Sequence, residues 1–364
     1  MAFVHDYLTQ LGGAERVLLE LLKLYPEAPL FTSVSDRQIR ERHFGHVDVR
    51  ASFLQRVPGA ARNFRALLPL YPVAFASLDL HDYDLVISST TSFAKGVRVG
   101  PRALHVCYIN TPTRFLWFPA EYAAEVTPAL LQPAAALVLP GLRLWDHAAA
   151  QRPHIMIANS QHVAQRVRDV YQRSAAVVHC PVDASAFSVG HGPGDYLLVI
   201  SRLLPYKRVH LAIEACNTLS LPLVIAGIGP DADRLRRLAG PSVRFVGHVD
   251  DARRRTLMSG ARAVIIPGHE DFGLVPLEAA ASGRPAIAYA AGGALETIVE
   301  GATGLLFREP TADALAQTLQ RLAATTFDPV RMAEHVSSFS PELFRERLAA
   351  LIAPALRGRQ NGTR

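Results

Sequence analysis

Short apolar runs alternate with amphipathic stretches along nearly the whole chain, and this alternation restricts the fold more than any other feature. Buried parallel strands read as near-continuous apolar runs, and the crossovers between them must be helices, so the pattern predicts an α/β protein. In the first half the strand candidates are AFVHD, LFTSVS, VDVRAS, YDLVISS, ALHVCYIN, IMIANS and AVVHC. In the second half they are YLLVISR, LPLVIAG, VRFVGHV, RAVIIPG and PAIAYA, with helices such as RVHLAIEACNTL, PDADRLRRLAG and TADALAQTLQRLAA between or after them.

A chain of 364 residues with 49% hydrophobic residues supplies two ordinary cores. Periodic pattern gives way to proline, glycine and small polar residues in PVDASAFSVGHGPGD, which places a boundary near Ser185. The expected division is therefore 1–184 and 185–340, two Rossmann-like, doubly wound domains with a ligand cleft between them at the carboxyl ends of both sheets. The terminal helix candidate, 341–364, is free to cross back to the first domain.

Composition excludes several classes. The most apolar stretch, TPALLQPAAALVLPGLRLW, is interrupted by Pro128, Pro133 and Pro140 and does not read as a membrane span. With no charged n-region, apolar h-region or cleavage site ahead of AFVHDY, the expectation is a cytoplasmic protein. Cys107, Cys180 and Cys216 have no metal or redox spacing and read as small core residues in a reducing compartment. The net charge of +6 favours an acidic partner, such as a nucleotide sugar, a lipid pyrophosphate or an anionic membrane face. Nucleic acid is not expected, because the arginines are spread through amphipathic helices and no nucleic-acid motif is present. The 14 histidines include no paired spacing, and Asp82-Tyr83-Asp84 leads into an apolar strand, so no metal site is expected.

The segment HEDFGLVPLEAAASGRP carries the sharpest chemical signal. RAVIIPG before it reads as a strand and LVPLEAAASG as a helix ended by Gly283, with Pro276 tolerable only in a first helical turn. The helix then starts near Gly273. Glu270 sits on the loop at the strand's carboxyl end and Glu278 lies in the helix, up to about 12 Å away along the axis, a span that fits a hexose at one end and a ribose at the other. The amides of Phe272, Gly273 and Leu274 at a helix N-terminus offer an anion site, so the element suits a diphosphate-linked sugar.

Other segments agree. Arg202 and Lys207 in SRLLPYKRVH follow a second-domain strand and suit a diphosphate, one as a fork and one as a point charge. Gly12 and Gly13 join the first strand to its helix, where adjacent glycines let backbone approach a phosphate. Gly227-Ile228-Gly229-Pro230 lacks the third glycine of a dinucleotide fingerprint and reads as a plain strand-to-helix turn. Arg56, Arg62 and Arg65 among Phe53, Leu54, Phe64, Leu67 and Leu68 suggest a basic amphipathic surface helix, either covering its own sheet or resting on anionic lipid.

Together these residues resemble glycosyltransferase family 4, retaining and metal-independent enzymes of GT-B fold. VHDYLTQLGGAERV, INTPTRFLW, ANSQHVAQRVRDVY with HCPVD, and SRLLPYKR with HEDFGLVPLEAAASGRP carry the likeness over nearly the whole chain. Within the family the chain is similar to bacterial mannosyltransferases that use GDP-mannose to build O-antigen or exopolysaccharide units on lipid-linked saccharides, at the inner face of the cell membrane. The resemblance implies that Glu270 holds sugar hydroxyls, Glu278 the ribose hydroxyls, Arg202 and Lys207 the diphosphate, and the amides of Phe272, Gly273 and Leu274 sugar or phosphate. Gly12 and Gly13 would keep the pocket open, and no cofactor or metal would be needed.

One position departs from the family pattern. Asn110 stands before Thr111-Pro112 where related enzymes carry a histidine that touches the donor sugar, and asparagine cannot become cationic there. A slower enzyme, a different donor sugar, compensation by His5 or His105, or a noncatalytic sugar-nucleotide or lipid-binding relative are the alternatives this leaves; among enzymes, the other reading is a different GT-B chemistry such as a nucleotide-sugar 2-epimerase.

Overall fold

The computed structural model describes residues 1–119 and 132–361. They divide into two compact units, Met1–Cys180 with the segment from Glu342 onward, and Pro181–Pro341. The division thus falls before Pro181, ahead of the boundary expected near Ser185.

In the first unit, β1 (Ala2–His5), β2 (Leu30–Thr32), β3 (Val49–Ala51), β4 (Leu85–Thr90), β5 (Leu104–Ile109), β6 (Ile155–Ala158) and β7 (Ala176–Val177) form one sheet in the order β3-β2-β1-β4-β5-β6-β7. In the second, β8 (Tyr196–Ile200), β9 (Leu223–Ala226), β10 (Val243–Gly247), β11 (Ala261–Ile266), β12 (Ala286–Tyr289) and β13 (Gly304–Phe307) run β10-β9-β8-β11-β12-β13. Every pairing between these strands is parallel. Each expected strand is present, and β13 is an addition, paired with β12 at the edge of the second sheet.

All residues of β1, β4 and β5 are buried, because helices cover both faces of the sheet. Each unit accordingly has two apolar layers. Val86, Phe93 and Leu116 belong to one side of the first sheet and Cys107, Ala158 and Val167 to the other. Leu197, Ile225 and Leu315 form one layer of the second unit, Leu198, Val264 and Ala279 the other. The three cysteines are buried and free, as small core residues.

Both sheets reverse direction once. The chain winds outward from β1 through β2 to β3 and returns to place β4 beside β1; it winds from β8 to β10 and returns to place β11 beside β8. The loops after β1 and β4, and after β8 and β11, therefore flank the crevices where open α/β sheets bind ligands.

The helix Pro341–Asn361 packs on the first unit. The Phe344 ring meets that of Tyr108 edge-on at 5.7 Å, Arg345 donates to Glu20 at 3.0 Å, and Arg359 donates to the Ala103 carbonyl at 2.8 Å. The Arg56–Arg65 region is not a continuous amphipathic helix. Pro58 and Gly59 break it into two 3-10 turns, Phe53–Arg56 and Phe64–Leu70, the second running into the helix Tyr71–Ala76. The stretch from Thr127 to Leu131 lies outside the described residues; from Gln132 it forms the helix Gln132–Ala150 with Pro140 inside. Among the described residues no helix is long and apolar enough to cross a membrane.

Candidate functional site

In the second unit the crevice is built from the loops that follow β8 and β11. After β8 the chain passes Arg202, which is exposed, and turns through the 3-10 segment Pro205–Lys207. Arg208 then takes a left-handed conformation, φ 51°, to enter the helix Val209–Leu219, and its guanidinium lies 5.5 Å from the Tyr289 ring at the end of β12. Gly268, just past β11, lets this turn approach: a Cβ there would stand 2.8 Å from Lys207 Cα and 2.9 Å from the Tyr206 carbonyl oxygen. The result is an ion pair across the reversal point, with Lys207 Nζ donating to Glu270 Oε1 at 2.6 Å.

Glu270 is fixed from behind by Gly292 and Gly293, which follow β12. Its carbonyl accepts from the Gly293 amide at 2.9 Å, and a Cβ on Gly292 would lie 2.2 Å from the same oxygen. These glycines escaped the sequence reading, although an adjacent pair directly after an apolar strand was a usable signal. Phe272 is buried, with its ring 6.0 Å from that of Phe339. Gly273, at φ 92°, is the N-cap of the helix Leu274–Ala281, so no side chain caps that end, and Gly283 at φ 66° lies just past the other. Glu278 is buried in the second turn of this helix and paired with Arg254 of the helix Asp251–Gly260.

In the first unit the corresponding loops gather around two buried carboxylates. Asp6, directly after β1, accepts from the amides of Thr91, Ser92, Phe93 and Ala94, which binds the loop after β4 to the end of β1. Sequence reasoning missed it; an acid at a strand terminus was the available hint. Glu15 accepts from the Gly12 amide at 2.7 Å and places its other oxygen 3.6 Å from His5 Nε2, while His5 Nδ1 lies 3.1 Å from the Ser89 carbonyl. The Gly12 amide is therefore engaged within the loop. What glycine provides there is room, since a Cβ would stand 2.9 Å from Glu15 Oε2, and Gly13 opens the helix Gly13–Leu22. Tyr7 is half-buried beside these acids, and desolvation first, then Glu15 and Asp6, push its hydroxyl up to about 12.

Asn110 is buried at the end of β5. Its Nδ2 donates to Ser89 Oγ and the Thr90 carbonyl, both at 3.3 Å, and its carbonyl accepts from Asn159 at 3.0 Å. Beneath this loop Lys95 and Asp146, both fully buried, form an ion pair at 2.6 Å that also binds Thr113, with Trp117 and Tyr171 donating to the same carboxylate. His5, through Ser89, is near Asn110. His105 is not: it is the second residue of β5, about 16 Å along the strand from Asn110. Burial holds its pKa down at about 3, so it is a neutral core imidazole and the suggestion that it compensates for Asn110 is withdrawn. Among the described residues no three His, Cys, Asp or Glu side chains group as metal ligands.

Residues 183–336 match the family model described as glycosyl transferases group 1. Glycogen synthase of Mycobacterium tuberculosis is 40% identical over 125 residues, which cover 31% of this chain and 30% of that protein. The chain thus matches less than a third of that relative's length. Among solved structures, Anabaena Alr3699/HepE in complex with UDP and glucose superposes with a TM-score of 0.72 at 19% identity, over 97% of this chain and 99% of that one. Sucrose-phosphate synthase of Thermosynechococcus elongatus gives 0.74 at 18% identity, over 98% and 100%. These likenesses establish the fold, two Rossmann-like units of the GT-B class, and the family match supports a group 1 glycosyltransferase domain in the second unit.

Proposed function

We propose that this protein is a retaining glycosyltransferase that moves mannose from GDP-mannose to a lipid-linked saccharide in cell-surface polysaccharide assembly. The observation that carries the reading is the Lys207–Glu270 pair at the sheet reversal, beside a helix N-terminus, in the segment that matches the group 1 model. Lys207 brings a point charge that suits a phosphate oxygen, with Arg202 on the same loop as second cation. The amides of Phe272, Gly273 and Leu274 receive sugar or phosphate oxygens, Glu270 orients sugar hydroxyls and Glu278 takes those of the ribose.

In the reaction the acceptor hydroxyl attacks the anomeric carbon on the face from which the nucleotide leaves. The carbon–oxygen bond to phosphate breaks, the leaving phosphate takes the hydroxyl proton, and the growing negative charge is met by Arg202 and Lys207. No protein nucleophile or metal is required.

The acceptor's membrane setting is supported by one segment of the first unit, residues 53–73. Phe53, Val57, Leu70 and Val73 are exposed large apolar side chains, and exposed Arg56, Arg62 and Arg65 lie among them in sequence, a composition that suits anionic head groups.

A second reading keeps the chemistry and changes the donor. The relative named glycogen synthase and the neighbour bound to UDP and glucose favour glucose from a nucleotide diphosphate. The test is incubation with labelled GDP-mannose or UDP-glucose and bacterial lipid extract. Label passing to an extractable lipid product supports transfer and names the sugar; conversion of the free sugar nucleotide without acceptor would mean an epimerase, and no turnover of either a noncatalytic binder.

A further inference from the structure

Glu278 is not a solitary carboxylate. Arg254 Nη1 donates to its Oε2, and both side chains are buried. The arginine is itself held: its Nε faces Asp251 Oδ1 at 3.4 Å and its guanidinium lies 5.6 Å from the Phe187 ring. A buried ion pair is seldom the most stable solution, since two well-packed apolar side chains at such positions are commonly as good or better. The pair therefore needs a reason beyond packing.

Its geometry supplies one. A glutamate side chain loses up to about 2 kcal/mol of rotamer freedom when it is ordered, a cost that otherwise falls on ligand binding. Arg254 orders Glu278 in advance. A carboxylate has about four acceptor positions, so a contact at Oε2 leaves capacity for two neighbouring hydroxyls. We infer that Arg254 is a positioning residue for nucleotide recognition, holding Glu278 in the one orientation that accepts a vicinal diol and so setting the preference for ribose over deoxyribose. This rests on the assignment of Glu278 to the ribose in the proposed function.

The ratio of two dissociation constants tests it. Calorimetry compares GDP or UDP, whichever the wild type binds, with its 2′,3′-dideoxy counterpart, for wild type, Arg254→Lys and Arg254→Met. The ratio is independent of how much of a variant folds, so loss of stability alone does not move it. The wild type should prefer the ribonucleotide by about tenfold or more. Arg254→Met should bring the ratio to within about twofold of unity, and Arg254→Lys, which keeps the charge without the planar fork, should fall between. A wild-type ratio retained in both variants overturns the inference, as does a wild type that binds nucleotide without discrimination; in either case the glycosyltransferase reading survives. A wild type that binds neither nucleotide removes both.

Discussion

Lys207 Nζ and Glu270 Oε1 meet at 2.6 Å, although one residue follows β8 and the other β11. Their contact converts a feature of topology, the return of β11 to the side of β8, into a charged pair at the mouth of the crevice. In the proposed reaction the pair divides its work, with Lys207 facing phosphate and Glu270 facing sugar.

Glu270→Ala should therefore lower turnover about a hundredfold or more while changing donor affinity less than about tenfold. Single-turnover kinetics beside calorimetric donor binding will separate the two. Unchanged turnover would remove Glu270 from the mechanism.

Gly292→Ala should reach Glu270 from behind. Gly292 has φ 61°, and its Cβ would lie 2.2 Å from the Glu270 carbonyl oxygen, so the loop must move. Misplacing a reacting group by about 1 Å can cost up to about a hundredfold in rate. Gly301→Ala is the control, with φ 81° and open space around its Cβ position. It should lose about 1–2 kcal/mol of stability in a thermal melt and keep its turnover.

Asn110→His should not improve the enzyme. The Asn110 amide is fitted between Ser89 and Thr90 at a buried position, and a larger ring there requires repacking. Transfer activity at or below the wild-type level is expected. A gain of about tenfold or more would show that the native residue impairs a histidine-dependent site.

His105 gives the first unit a pH dependence that can be signed. Its folded pKa is pushed down from 6.5 to about 3, mainly by burial, with His154, Arg152 and Arg173 adding to the shift. Between those values the unfolded chain binds a proton that the folded protein does not. The contribution is fully present above pH 6.5 and is lost as pH falls toward 3, at up to about 1.4 kcal/mol per pH unit. Denaturant titrations from pH 7 to 5 should show a shallower loss of stability in His105→Gln than in wild type; equal slopes would contradict the burial argument.

The strands were legible because parallel strands buried on both faces leave little room for polar residues, as YLLVI and LVIA show. The site was legible in part. Loop residues at strand ends, Lys207 and Glu270, declare themselves by charge beside turn residues, but their contact with each other depends on Gly268 and on which strands become neighbours. Strand order is nonlocal, and nothing in either segment states it. Arg254 was hidden for the opposite reason: in DDARRRTLMSG it is one arginine of three in an amphipathic helix, and only packing against Glu278 distinguishes it from its solvated neighbours. Asp6 was obscured by an apolar strand on one side and a tyrosine on the other.

Every step of the proposed reaction needs a nucleotide diphosphate sugar bound in the second unit, and calorimetry with the purified protein and chelator present tests that directly. GDP-mannose, GDP-fucose, UDP-glucose, UDP-N-acetylglucosamine and dTDP-rhamnose form the panel. Selective binding of GDP-mannose, lost or weakened in Lys207→Ala, is the predicted result; binding of UDP-glucose instead would move the donor to the second reading, and binding of none would contradict the account.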